Sequence, residues 1–234
     1  MASVKYTAFV SEIRGKVNGS VFSKNRAGNY IRTKVTPVNP QSTAQQLQRG
    51  QLSQMSQAWR GLTQEQRDGW ANYASQVPYS DIYGDVKFLS GQMMFVKTNL
   101  NLLKVGAATI DNAPTPGDVP QLGITSLTAA ADTTPAESIL SLVTTITGTD
   151  TGVTMAIYAT PPVGPGKSFV KNQFRLIGTN TTTAGAKNLL TPYLAKFGNL
   201  IAGNKVFVRI QAVVVATGQV STPLEVMAIA TVNP

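Results

Sequence analysis

The 234-residue chain contains no cysteine and no histidine. The first absence excludes disulfides and thiolate chemistry. The two together remove the usual zinc, copper and iron ligands and the commonest general base. An oxygen-only calcium or magnesium site would have to come from the eleven acidic residues, which contain no D-x-D-x-D-G cluster. Charged residues make up only 13% of the chain. Thr, Ser, Asn, Gln, Ala and Gly fill the balance, a texture common in β-rich assembly proteins. No run approaches the ~18 apolar residues that a membrane-spanning helix requires. The opening MASVKYTAFVSEIRGK lacks the basic and apolar regions of a secretory signal. A soluble product made in the cytoplasm, with no membrane partner, is the expectation.

What charge there is lies at one end. Residues 1–60 hold nine basic side chains (Lys5, Arg14, Lys16, Lys24, Arg26, Arg32, Lys34, Arg49 and Arg60) against the single acid Glu12. That stretch carries +8 of the chain's net +9, and the remainder is nearly neutral. Segregated Lys and Arg mark a surface that meets an acidic partner or nucleic acid.

The same stretch reads as a β-meander over residues 11–36. Asn18-Gly19 is a two-residue hairpin signal of type I′, both central residues needing φ > 0. It pairs Val17 with Ser20 and places Ile13, Val17, Ser20 and Phe22 on one face. A second turn falls at Asn25-Arg26-Ala27-Gly28-Asn29. If Ile31 and Val35 join the apolar face, Arg14, Lys16, Arg32 and Lys34 share the opposite one. Such a small two-faced sheet is marginal alone and needs a partner surface.

Thr36-Pro37-Val38-Asn39-Pro40 is an extended connector, because each residue before a proline is pushed out of the α region. Ser42 with Gln45 fits a capping box that starts a helix over about 43–60, with Leu47, Leu52, Met55 and Trp59 near one stripe. Thr63 with Gln66 is a second box, opening a short helix that carries Trp70 and Tyr73 and ends at Val77-Pro78. A loop with Tyr79, Asp81, Tyr83 and Asp85 follows. Ser90 caps a third helix over 91–104, with Met93, Val96, Leu100 and Leu103 at helical spacing. Residues 106–120, with small residues and three prolines, read as a linker.

From Gln121 the texture changes to short strands, expected at 122–130, 138–147, 153–160, 173–179, 205–215 and 224–232. Val206, Val208, Ile210 and Ala212 alternate with Phe207, Arg209 and Gln211. The fold class is therefore α+β. Its parts are a basic β-meander and extended arm (1–41), a helical segment (42–105), a linker (106–120) and a β-sandwich (121–234). The stretch VFVRIQAVVVATGQVSTPLEV resembles the last hairpin of a fibronectin type III domain, which implies an immunoglobulin-like or fibronectin-type-III-like sandwich and no specific function.

Three chemical readings are weak. The GPGK at 164–167 lacks the G-x-x-x-x-G-K-[ST] spacing of a phosphate loop. Asp81 and Asp85 are not a carboxylate pair held across a cleft. The helices flanking Gly61 would make a helix-turn-helix only weakly, since Gln64, Glu65, Gln66, Arg67 and Asp68 are neither basic nor distinctive. Trp59, Leu62, Trp70 and Tyr73 more simply form the core of an αα-hairpin. No catalytic residue, cofactor or metal is assigned, and the protein is not expected to be an enzyme.

Residues 13–70 carry a pattern: Arg14-Gly15-Lys16 with Gly19, Asn25-Arg26 with Gly28, Arg32, Pro37-Val38-Asn39-Pro40, Gln45-Gln46, Trp59, Leu62, Arg67 and Trp70. This pattern resembles a recurring family of uncharacterised proteins encoded by tailed bacteriophages and prophages. The resemblance implies a virion structural or assembly protein, located in the virion after synthesis in the host cytoplasm. The first expectation is a head-associated decoration, cement or minor capsid protein. A neck or tail component is the second, and a DNA-binding packaging or nucleoid-type protein the third. Partners would be capsid, portal or tail proteins, or further copies of the chain, with nucleic acid ranked behind them. Electrostatic docking would use Arg14, Lys16, Lys24, Arg26, Arg32 and Lys34. Ile13, Val17, Phe22, Trp59 and Trp70 would be partner-binding or core anchors.

Overall fold

The computed structural model describes residues 2–3, 10, 12–25, 28–80, 85–132, 134, 137–147, 152–181 and 185–232. Arg26, Ala27, Asp81 and Tyr83, singled out above, lie outside the described residues. The chain is mixed α and β with most of its elements strands. It divides into two compact units, residues 1–47 and 48–234.

The first unit is a four-stranded antiparallel sheet rather than a three-stranded meander. Its strands are β1 (Ala2–Ser3), β2 (Gly15–Val17), β3 (Ser20–Asn25) and β4 (Gly28–Thr33), in the order β1-β4-β3-β2. The β2–β3 turn pairs Val17 with Ser20, as the Asn-Gly signal requires. Only Asn18 has positive φ (50°), so the turn departs from type I′, which needs it at both central residues. Lys34 N–H donates to Gly19 O at 2.8 Å and extends the ladder past β4.

The second unit opens with three helices: α1 (Thr43–Gly61, whose first residues fall in the first unit), α2 (Gln64–Gln76) and α3 (Gly91–Lys104). A short ladder, β5 (Tyr79–Ser80) with β6 (Val86–Lys87), lies between α2 and α3. The capping box at α2 is complete. Thr63 Oγ1 accepts from Gln66 N–H, and Gln66 Oε1 accepts from Thr63 N–H. Ser90 Oγ accepts from Met93 N–H and starts α3.

Leu62, Trp70, Tyr73, Ala74, Met94 and Phe95 form one apolar cluster, with Trp59 packed on it. Trp70 meets both Tyr73 and Phe95 edge-on, with ring centroids 5.7 and 5.4 Å apart, the arrangement that aromatic quadrupoles favour. The expected faces need correction in two places. On α3 the buried residues are Met94, Phe95, Thr98, Asn99 and Leu102, while Met93 is exposed. The face lies one residue along because α2 packs on that side, with Gly91 so close to Ala71 that a Cβ there would sit 2.9 Å from Ala71 N. On α1 only Met55 is buried, and Leu47 and Leu52 remain exposed.

Residues 107–120 hold no helix or strand, yet residues 110–113 are fixed against the helices. Asn99 is fully buried in α3. Its Nδ2 donates to Ile110 O (3.0 Å) and Phe95 O (3.1 Å), and its Oδ1 accepts from Ile110 N–H (2.8 Å). Trp70 Nε1–H donates to Asp111 O at 2.8 Å.

Two four-stranded sheets follow. One contains β7 (Gln121–Ala131), β8 (Ile139–Thr147), β11 (Gly185–Asn188) and β14 (Thr231–Val232) in the order β11-β8-β7-β14. The other contains β9 (Val153–Ala159), β10 (Arg175–Asn180), β12 (Lys205–Val214) and β13 (Leu224–Ile229) in the order β10-β9-β12-β13. Side chains from both sheets share one core, including Leu140 and Leu142 from the first and Met155, Val206, Val208 and Ile210 from the second. Alternation along β12 behaves as read, with Val206, Val208, Ile210 and Ala212 fully buried. A further helix between β11 and β12, α4 (Leu190–Phe197), not among the expected elements, adds Leu190 and Tyr193 to this core.

The β12–β13 turn meets α3 at Gly218. A Cβ there would fall 2.5 Å from Thr98 Cγ2 and 2.8 Å from Thr98 O, and φ is +63°. Asn101 Nδ2 donates to Gly218 O at 3.1 Å. Only glycine meets both demands, a left-handed φ and the close approach of a helix.

The Asn99 clamp generates a test. Asn99→Leu keeps the volume and removes the bonds, leaving the Ile110 N–H and C=O without their partner. The expected loss of unfolding free energy is about 2–4 kcal/mol, read by urea denaturation. An unchanged midpoint would mean that Ile110 finds other partners and that the clamp is dispensable.

Candidate functional site: the basic sheet of residues 12–35

The basic stretch folds into a sheet whose register assigns each side chain to a face. Lys16 pairs with Val21, and Val21 pairs with Arg32. These three therefore stand in one row across β2, β3 and β4 on one face. Ser23 and Tyr30, which pair with each other, share that face. At ~4.8 Å between strands, Lys16 and Arg32 lie about 10 Å apart at their backbones. Lys34 follows Arg32 by two residues, about 7 Å further along on the same side. Lys16, Arg32 and Lys34 are exposed. Among the described residues none of the three has an acid within ion-pair distance. At spacings near the Debye length their potentials overlap in part, and more so as salt falls.

The opposite face carries Gly15 with Phe22, Val17 with Ser20, Phe22 with Ile31 and Ser20 with Thr33. Val17 is exposed, and Phe22 and Ile31 are half-buried. Ile13 is also half-buried. Among the described residues up to Gln54, none is buried. The described residues of this sheet form no core of their own.

Two of the residues expected to dock electrostatically, Arg14 and Lys24, are tied to the acid Glu12. Arg14 Nε donates to Glu12 Oε1 at 2.8 Å, and the same carboxylate lies 3.9 Å from Lys24 Nζ. Lys24 pairs with Asn29 and so sits on the face of Phe22. Gly15, at φ 121°, interrupts strict alternation between Arg14 and Lys16. The single acid of the stretch thus draws Arg14 into a pair shared with Lys24, leaving three cations on the open face. All three partners are substantially exposed, so these ion pairs orient side chains more than they stabilise the fold.

The other two expected anchors are in the second unit. Trp70 is fully buried, with its indole N–H satisfied, so it is a core residue with no surface to offer a partner. Trp59 is half-buried against Phe95, with ring centroids 5.6 Å apart. The GPGK segment closes a tight turn through Lys167 N–H to Gly164 O (3.0 Å). Among the described residues no three carboxylates converge as a metal site requires, and none of the helices is long and apolar enough to cross a membrane.

Neither the protein-family models nor the curated proteins contain a match to this chain.

The burial pattern makes a second prediction. Lys16→Glu, Arg32→Glu and Lys34→Glu together touch no buried residue. The triple variant should keep the unfolding free energy of the native chain to within about 1 kcal/mol, measured by denaturant titration. A larger loss would mean that these cations serve the fold rather than an outside surface.

Proposed function

We propose that the chain is a structural protein of a bacteriophage virion, head-associated as a decoration, cement or minor capsid component, and that it docks through its basic N-terminal sheet. The observation that carries this reading is the sheet itself. It orders three cations without an ion-pair partner on one face and apolar side chains on the other, with none of its described residues buried. A sheet that small gains little by folding alone. A neighbouring surface that covers the apolar face and opposes the cations supplies what it lacks. The resemblance of residues 13–70 to phage-encoded proteins supports the virion as the setting. No part of this role asks for catalysis.

For residues 121–234 we propose an immunoglobulin-like or fibronectin-type-III-like sandwich. Its support is strand order. Lettered A to G along the chain, with β10 as C′ and β11 as E, the sheets read E-B-A, extended by β14 parallel to A, and C′-C-F-G; apart from β14 this is the two-sheet division of such domains. A module of this kind would project from the docked arm or meet other copies.

Nucleic acid is the competing partner, because a row of lysine and arginine also suits phosphates. Of the described aromatics in the sheet only Tyr30 shares the cationic face, which gives successive bases no stacking platform there. Salt separates the two readings. Phosphate binding weakens with a log–log slope set by the phosphates neutralised, about −0.9 per contact on duplex DNA, whereas docking through Phe22 and Ile31 weakens less.

The experiment is quantitative mass spectrometry of purified particles, with the major capsid protein as reference. The expected result is a copy number comparable with that protein's, and loss of the chain from particles when Lys16, Arg32 and Lys34 are changed to Glu. A copy number far below it would move the protein to the neck or tail. Absence from particles would remove the virion reading.

A further inference from the structure

Lys104, in the last turn of α3, is half-buried. Its ammonium stands 4.9 Å from the centroid of the Tyr158 ring on β9 and donates to Gln211 Oε1 of β12 at 3.4 Å. Neither partner is an anion. Among the described residues no carboxylate makes an ion pair with it. The carbonyl end of α3 offers only partial negative charge. Burial holds the amine below the ordinary lysine range, as expected where a cation is desolvated without a counter-ion.

Beside it lies a cavity of about 360 Å³ with Gln48, Gln51, Asn101, Lys104 and Tyr158 in its wall. Leu100 and Leu176 supply an apolar side. At ~30 Å³ per water the space corresponds to about a dozen waters, room enough for a small organic group. Asn101 is held by its bond to Gly218 O. The remaining polar groups are rich in donors: an ammonium, two primary amides and a phenol.

We infer that this cavity binds a carboxylate, with Lys104 as its charge partner, the Gln48, Gln51 and Tyr158 side chains as hydrogen-bond donors, and the two leucines against the acid's carbon chain. The chemistry favours a carboxylate over a phosphate. A phosphate is held by several cations, a bidentate arginine or a helix N-terminus. Here there is one lysine, and the adjacent helix end is the carbonyl end, which opposes a second negative charge. The carboxylate has two sources, a free organic acid or an Asp or Glu side chain of a neighbouring protein. The site lies wholly in residues 48–234 and stands independently of the role given to the basic sheet.

The test uses the full chain with ¹³C-labelled lysine, Lys104 being assigned by its loss in Lys104→Met. Sodium succinate, a blocked Ala-Glu-Ala peptide and inorganic phosphate are titrated separately at constant ionic strength. The expected result is a saturating shift of the Lys104 side-chain signal with succinate or with the peptide, weakened at least tenfold in Gln51→Leu. Saturation by succinate alone assigns a free acid. Saturation by the peptide assigns a protein side chain. A Lys104 response that stays linear and matches that of exposed Lys97 and Lys196 overturns the site. Tighter binding of phosphate than of either carboxylate overturns the assignment of the ligand.

Discussion

The second unit depends on one buried amide. Asn99 presents a donor and an acceptor to the two backbone groups of Ile110, as a neighbouring strand would, and spends its other N–H on Phe95 O within its own helix. This converts a proline-rich stretch with no ladder of its own into a fixed wall of the helical core. Trp70 reaches the same stretch one residue later, at Asp111. A low-dielectric site strengthens such bonds and makes their loss costly. The edge-on stack of Trp70, Tyr73 and Phe95 is enclosed because this wall stays in place. The same helix then reaches the sheets through Thr98, Asn101 and Lys104. Strand β9 accordingly has both faces covered, with Ala156 as inaccessible as Met155.

The first unit stands under the opposite constraint. Ordering a residue costs roughly 1–2 kcal/mol of backbone entropy, and burial is what normally offsets it. A sheet in which no described residue is buried has only its ladder and its half-covered face. Its sequence is correspondingly rich in devices that act locally. Asn18 takes φ 50° at the turn, Glu12 gathers Arg14 and Lys24, and Lys34 lengthens the ladder back to Gly19 O. These fix the geometry of a surface without building a core beneath it. That combination is what a binding face requires and what an independently stable domain lacks.

Much of this was legible in the chain. Helix starts at Thr63 and Ser90 were readable because capping is local chemistry, spelled within three residues. Strands 121–131, 139–147, 153–159 and 205–214 were readable because they are long and bounded by turns. The face of α3 was not, since apolar side chains encircle it and only α2's approach at Gly91 selects Met94 and Phe95 over Met93. Helix α4 was less legible although Leu190, Tyr193, Leu194 and Phe197 repeat at helical spacing. It is short and lies between turn-rich segments. Asn99 left a faint sign, because asparagine inside a helix is unfavourable unless its side chain has work elsewhere. Nothing local said that the work was at Ile110. In the basic sheet the alternation of Lys16, Arg32 and Lys34 followed from period two, while the diversion of Arg14 depended on Gly15's positive φ and on one acid.

The two cationic features differ in a way that bears on what each can meet. On the basic sheet the charges are exposed, spaced by strand and residue repeats, and backed by a face with apolar side chains. They suit an extended acidic surface, and salt acts on them strongly. At Lys104 the charge is single, half-buried and surrounded by neutral donors. Salt reaches it less, and its partner is defined by shape as much as by sign. The two kinds of contact serve different purposes. Exposed cations steer an approach and raise its rate, whereas a desolvated charge with fixed donors discriminates among ligands once they arrive. On the docking role proposed for residues 12–35, the sheet therefore governs whether the chain reaches an acidic surface. The carboxylate site proposed within residues 48–234 would select its ligand independently of that approach.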